Sequence, residues 1–126
     1  MPKWTPNYMS WLERKMLKLL GECRLHGFQH NYQIDLYDPR YDQIRSFWAD
    51  FAFPELMLII ECDSVAFHST EFQKKRDKDR QNILEQVGWT FIRFTSKQIL
   101  SEREATKSAL KKAVEEAATR KVLLPK

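Results

Sequence analysis

Glycine is scarce in this chain, three residues in 126, while hydrophobic residues make up 43% and charged residues 30%. That balance excludes low-complexity and disordered polypeptides and describes a globular protein with material for a core. Cysteine is scarcer still. Cys23 and Cys62 form no CxxC pair, and the three histidines are not spaced as zinc ligands, which argues against a structural zinc site. There is no signal peptide and no apolar stretch approaching a membrane span, so the expected setting is a reducing cytoplasm, with both thiols buried and unoxidised. No internal repeat is visible, and nothing indicates a small-molecule cofactor. A chain of 126 residues reads as one domain, 1–126, able to bury most of its apolar surface without disulfides or metal. Charge of one sign is also lacking. Twenty-one Lys and Arg stand against 17 Asp and Glu, and the net charge of +4 leans only gently towards a polyanionic partner.

What is present is clear periodicity. From Tyr8 to Leu25 the apolar residues Met9, Leu12, Met16, Leu19 and Leu20 fall at helical spacing, with Ser10 and Glu13 placed as a capping box. Residues 28–37 alternate through Tyr32, Ile34 and Leu36 as a half-buried strand that ends at Asp38-Pro39. A second strand runs over 44–53, Pro54-Glu55 makes a tight turn, and 56–62 is apolar on both faces, as a central strand is. A charged helix over 70–87 keeps Phe72, Ile83, Leu84 and Val87 on one face and is stopped by Gly88. A short strand at 89–94 and an amphipathic helix at 101–120 follow. The order α-β-β-β-α-β-α makes this an α/β (α+β) chain, with a core over about 8–100 and a C-terminal helix over about 101–120.

Against this frame the acids stand out. Asp50 lies within Phe47-Trp48-Ala49-Asp50-Phe51, and the apolar run Leu56–Ile60 delivers Glu61-Cys62-Asp63. Carboxylates beside a core are costly unless a metal or a hydrogen-bond network meets them. Alternation along a strand puts Glu61 and Asp63 on one face, and a hairpin through Pro54-Glu55 brings Asp50 within about 5 Å of Glu61. A hard cation relieves that repulsion, so Asp50, Glu61 and Asp63 are the expected ligands of Mg²⁺, with Mn²⁺ as a substitute, in a site able to activate water against a phosphodiester. The plainer alternative is that Glu61 and Asp63 end the strand in solvent. His68 follows five residues after Asp63, placed to take a proton from water or to hold a hydrated metal. His26 and His30 read as structural.

Cations crowd the 70–87 helix. Lys74, Lys75, Arg76, Lys78 and Arg80 are interrupted by Asp77 and Asp79, a pattern shared by solvated faces and by phosphate-binding ones. Helical rotation puts Arg76 and Arg80 on the side of Phe72, Ile83 and Val87, leaning towards the sheet, where they would pair with the acids or meet a phosphate. Arg93, within an apolar strand, needs a partner too. Trp4 and Trp11 read as packing or anchoring residues before base-stacking ones.

Taken together, Asp50, Glu61-x-Asp63, His68, Asp77, Arg80, Leu84, Gly88, Trp89 and Ile92-Arg93-Phe94 resemble, over roughly Trp11 to Leu100, the very-short-patch-repair-type endonucleases and their small relatives. These belong to the restriction-endonuclease-like, PD-(D/E)xK superfamily. The resemblance implies a mixed-sheet core flanked by helices and a metal-dependent DNA-cleaving site that Glu13 also faces. The related EDxHD homing-endonuclease branch matches Glu13, Asp50, His68 and Asp77. Four departures stand: Asp63 occupies the position of the motif's lysine, Ser64 follows where glycine is expected, the interval from His68 to Asp77 is slightly long, and the zinc ligands of the repair enzymes are missing. The expectation is a Mg²⁺-dependent DNA endonuclease of a phage or mobile element, in the cytoplasm of a bacterium or infected host. Its catalytic set is Glu13, Asp50, Glu61, Asp63, His68 and Asp77, and its DNA contacts are Lys74, Lys75, Arg76, Arg80 and Arg93. Cutting both strands with one site per chain implies a homodimer. Two other readings stay open: a DNA-binding or assembly module of the same fold weakened by loss of the lysine, and metal-dependent cleavage of RNA.

Overall fold

A computed structural model describes residues 9–63 and 70–123; His68 and Trp4 lie outside them. Helix α1 (Trp11–Glu22) begins at the expected capping box, with the Ser10 hydroxyl accepting from the Glu13 amide and the Glu13 carboxylate accepting from the Ser10 amide. Strands β1 (Gln29–Asp38) and β2 (Gln43–Phe53) form a long antiparallel hairpin. The proline-led junction is a 3-10 turn, Pro54–Leu56, closed by Met57 at φ 50°, and β3 (Leu58–Asp63) returns antiparallel to β2. Helix α2 (Glu71–Gln86) carries the chain to β4 (Thr90–Thr95), which lies parallel to β3. The result is a four-stranded mixed sheet in the order β1-β2-β3-β4, flanked by helices.

Two apolar layers hold it. On one face Met16, Leu19 and Leu20 of α1 pack with Phe51, Phe53, Leu58, Ile60 and Phe94. The same layer takes Ile99 from α3 (Ser96–Ser101) and Leu110 and Ala117 from α4 (Arg103–Leu123). On the other face, Leu84 of α2 packs with Ile34, Phe47, Ala49, Ala52, Ile59 and Trp89. The first and last helices also grip each other through polar contacts: Glu22 receives Arg103 at 2.8 Å and Lys107 at 3.4 Å. Among the described residues no helix is long and apolar enough to cross a membrane.

The structure departs from the sequence reading in three places. Helix α3 falls in a stretch read as a connection, because Ile99 is its only buried residue; a Thr95/Gln98 capping box starts it. Helix α4 runs on to Leu123. The inward face of α2 is also rotated from the expected one. Phe72 is 69% exposed and Val87 49%, while Asp77, Arg80, Gln81 and Leu84, spaced i, i+3, i+4 and i+7, turn towards the sheet.

Side-chain alternation breaks in the middle of the hairpin. Tyr32 and Ile34 belong to the α2-side layer, yet His30 lies against Phe51 on the α1 side; Ala49 faces α2, yet Phe51 faces α1. Residues two apart in a regular strand share a face. The exchange falls at Asn31, which has φ 51°, and at Asp50, the pair omitted from an otherwise continuous register. Asparagine tolerates that left-handed backbone better than most residues.

Helix α2 ends at Gly88, whose φ of 107° favours glycine, and a Cβ there would meet the Met57 side chain at 3.3 Å. We expect Gly88→Ala to lower unfolding free energy by about 1 to 3 kcal/mol, read as a shifted urea midpoint with an unchanged slope.

Candidate active site

Strands β2 and β3 pair only from Phe51↔Ile60 to Phe53↔Leu58. One residue beyond, they part, and Asp50 and Glu61 stand on either side of the opening. Each reaches across to the backbone of the opposing strand: the Asp50 amide donates to Glu61 Oε2 at 3.0 Å, and the Cys62 amide donates to Asp50 Oδ2 at 2.8 Å. The carboxylates thereby replace ladder hydrogen bonds lost where the strands separate. Both are buried, at 5% and 6% exposure, and each accepts a backbone N–H there. The sequence expectation that Asp50 approaches Glu61 across a hairpin corresponds to this exchange, with each side chain bonded to backbone.

Helix α2 closes one side of the opening. Arg80 Nη1 meets Glu61 Oε1 at 2.6 Å, Arg80 Nη2 donates to the Trp48 carbonyl at 2.6 Å, and Asp77 stands 3.6 Å from the same guanidinium. Arg93 on β4 contacts Asp77 at 3.1 Å and Asp63 at 3.4 Å, and donates to Gln81 Oε1. Both guanidiniums lie over the Phe91 ring. A chain of alternating charge, Glu61–Arg80–Asp77–Arg93–Asp63, therefore lines the α2 face of the sheet. The three carboxylates Glu61, Asp77 and Asp63 share these two guanidiniums, and Asp50 accepts from the Cys62 amide.

Glu13 stands on the other face. It is 3% exposed, and its Oε1 lies 2.8 Å from His30 Nε2. His30 is opposite Phe51 in the register, one residue from Asp50. Sequence pattern does not single out His30, because its partner is 17 residues away and on another element. Glu13 and Asp77 thus approach from opposite faces of the sheet. His68 falls outside the described residues, and among these no three His, Cys, Asp or Glu side chains converge as a ligand set.

The cations of α2 divide. Lys74 and Lys78 line a shallow groove of about 370 Å³ with Asp63, Asp77 and Arg93. Arg76 and Arg80 line another, of about 580 Å³, on the side of β2. Lys75 is exposed, Lys74 lies 3.6 Å from Glu71, and Arg76 is exposed over the Phe72 ring instead of leaning on the sheet. Arg80 and Arg93 alone among the five reach the acids.

Residues 22–114 match the model of the restriction-endonuclease-like family REase_MTES_1575. The chain belongs to this family. Asp50, Glu61, Asp63, His68 and Asp77 all fall within the matched span, and Glu13 precedes it. An uncharacterised protein of Haemophilus influenzae is 31% identical over 93 residues, 74% of this chain and 69% of that protein. Uncharacterised proteins of two Mycobacterium tuberculosis strains, MT2308 and Rv2248, are 31% identical over 74 residues, 57% of this chain and 27% of theirs. No solved structure matches the chain. The family and the mixed α/β fold together point to a nuclease.

Removing Arg80 would strand the buried Glu61 carboxylate without its closest cation. Arg80→Ala is expected to cost roughly 3 kcal/mol of stability by urea denaturation, and adding Glu61→Gln should recover part of that loss. Independent, additive effects of the two substitutions would refute the coupling.

Proposed function

We propose that this protein is a metal-dependent DNA endonuclease whose centre is the Asp50–Glu61 pair at the parting of β2 and β3. The observation that carries the reading is the burial of these two carboxylates, cross-bonded over a strand opening, in a chain of a restriction-endonuclease-like family. Their chemistry suits Mg²⁺, which takes one or two carboxylate oxygens and keeps water in its other positions, and Mn²⁺ would serve similarly. When bound, the ion would lower the pKa of water and polarise the scissile phosphodiester.

In this reading Asp50 and Glu61 are the principal ligands; Asp63, bonded to Arg93, does not converge with them as a third. Arg80 keeps Glu61 oriented and supplies positive charge that the superfamily's lysine, replaced by Asp63, does not. His68 is assigned the proton-accepting role on the strength of its sequence position after β3. Glu13, Asp50, His68 and Asp77 are assigned in this reading to the pattern of the EDxHD and very-short-patch-repair-type enzymes, without a claim to mismatch specificity. A homodimer is the proposed assembly for cutting duplex DNA.

A second reading also rests on an observation. Glu61 and Asp63 are already engaged by Arg80 and Arg93, as in a structural network that has outlived its chemistry. Incubation of purified protein with plasmid DNA in Mg²⁺, Mn²⁺ or EDTA separates the two. We expect cleavage in either metal and none in EDTA. Asp50→Asn and Glu61→Gln should each abolish cleavage while leaving the circular dichroism spectrum intact, and full turnover in either variant would place the centre elsewhere.

Contacts to DNA are proposed to run through phosphates, with Lys74 and Lys75 exposed on the first turns of α2. Lys74→Ala/Lys75→Ala should reduce the slope of log affinity against log salt by up to about two. An unchanged slope in anisotropy titrations would leave these lysines as a solvated face.

A further inference from the structure

Beyond Arg80, the groove between β2 and α2 continues away from the acids. Its first section, of about 580 Å³, includes Arg76 and Arg80; a second, of about 880 Å³, runs on towards Val87, and the two share Arg45, Phe47 and Asp79. From Arg76 to Val87 the wall formed by α2 is about 16 Å long at 1.5 Å per residue, room for a few nucleotides.

The lining changes character across the groove. Its floor holds Leu36, Phe47, Ile83 and Val87, and α2 adds the amides of Asn82 and Gln86, one turn apart on the same side. At the opposite rim, Arg40 and Arg45 both contact the carboxylate of Asp38, at 3.1 and 3.6 Å. One carboxylate shared by two guanidiniums leaves a net positive charge there. The hydrogen bond from Arg40 holds the Asp38 carboxyl below its usual range, so that carboxylate stays ionised and fixes both arginines. Asp79, on the α2 wall, disfavours a phosphate on that side and directs it to the arginine rim.

An apolar floor, amides on one wall and cations on the other suit a base with its phosphate. The floor gains from a base only if that base is unstacked, whereas a paired duplex presents phosphates and sugars to a surface groove. Asn and Gln amides can each bond a base edge.

We propose that this groove binds a single strand of the nucleic-acid substrate next to the cleavage site, bases against Ile83 and Val87 and phosphates along Arg40, Arg45 and Arg76. The proposal rests on the nuclease reading for its biological meaning, but its test does not need cleavage. Fluorescence anisotropy in EDTA compares a labelled single-stranded DNA 10-mer with a hairpin duplex of the same sequence. Asn82→Trp fills the groove from an exposed helical position, and it should weaken single-strand binding by about tenfold or more while duplex affinity changes less than about twofold. Arg45→Gln should weaken single-strand binding several-fold, which decides the matter if the tryptophan variant folds poorly. Unchanged single-strand affinity in both variants, equal losses for both DNAs, or no single-strand binding by the wild type would each overturn the proposal. Asp50→Asn should bind the 10-mer at least as well as wild type, so an inactive nuclease and an empty groove give different results.

Discussion

The structure turns on the point where β2 and β3 stop pairing. A sheet that opens leaves backbone amides without ladder partners in a place that water reaches poorly, and such groups must be satisfied. Here the Asp50 amide and the Cys62 amide are met by Glu61 and Asp50. The carboxylates are held by the backbone and the backbone by the carboxylates. Everything acidic nearby follows from this exchange, because Glu61 can be buried only if Arg80 balances it, and Arg80 can be reached only if α2 lies where Leu84 docks on Ala52 and Ile59. The apolar layer beneath α2 and the charged chain above it are therefore one construction.

Much of this was legible in the sequence, for identifiable reasons. Glu61 and Asp63 had to share a face because the period of a strand is two, and Asp50 had to lie near them because Pro54-Glu55 joins consecutive strands. The Ser10/Glu13 cap is local, four residues long, and so visible. What escaped the sequence is tertiary. Asn31 and Asp50 exchange the faces of a hairpin, and no pattern of hydrophobicity marks a left-handed asparagine. The α2 face was misjudged because its inward residues are Asp77, Arg80 and Gln81, which a hydrophobic criterion assigns to solvent, while Phe72 is exposed. His30 was passed over for the same reason: its meaning lies in Glu13, on another element.

Burial of charge explains why the arginines of the chain are not alike. Arg80 and Arg93 have side chains 19% and 23% exposed and each bridges two acids, so their planar donors are used in fixed directions. Arg76, one helical turn before Arg80, lies on the surface over Phe72. A substitution by lysine would be mild at Arg76 and severe at Arg80, because an ammonium cannot serve Glu61 and the Trp48 carbonyl along two separate donor axes.

The grip of Glu22 on Arg103 and Lys107 joins elements from opposite ends of the chain. Helix α1 packs in a layer completed by Leu110 and Ala117, so during synthesis it emerges long before the residues that hold it. The hairpin and β3 can form while the chain is still growing, yet the wall that carries Glu13 awaits the final helix. A nascent chain thus carries Asp50 and Glu61 before α1, with Glu13 on the opposite face of the sheet, has its full packing layer.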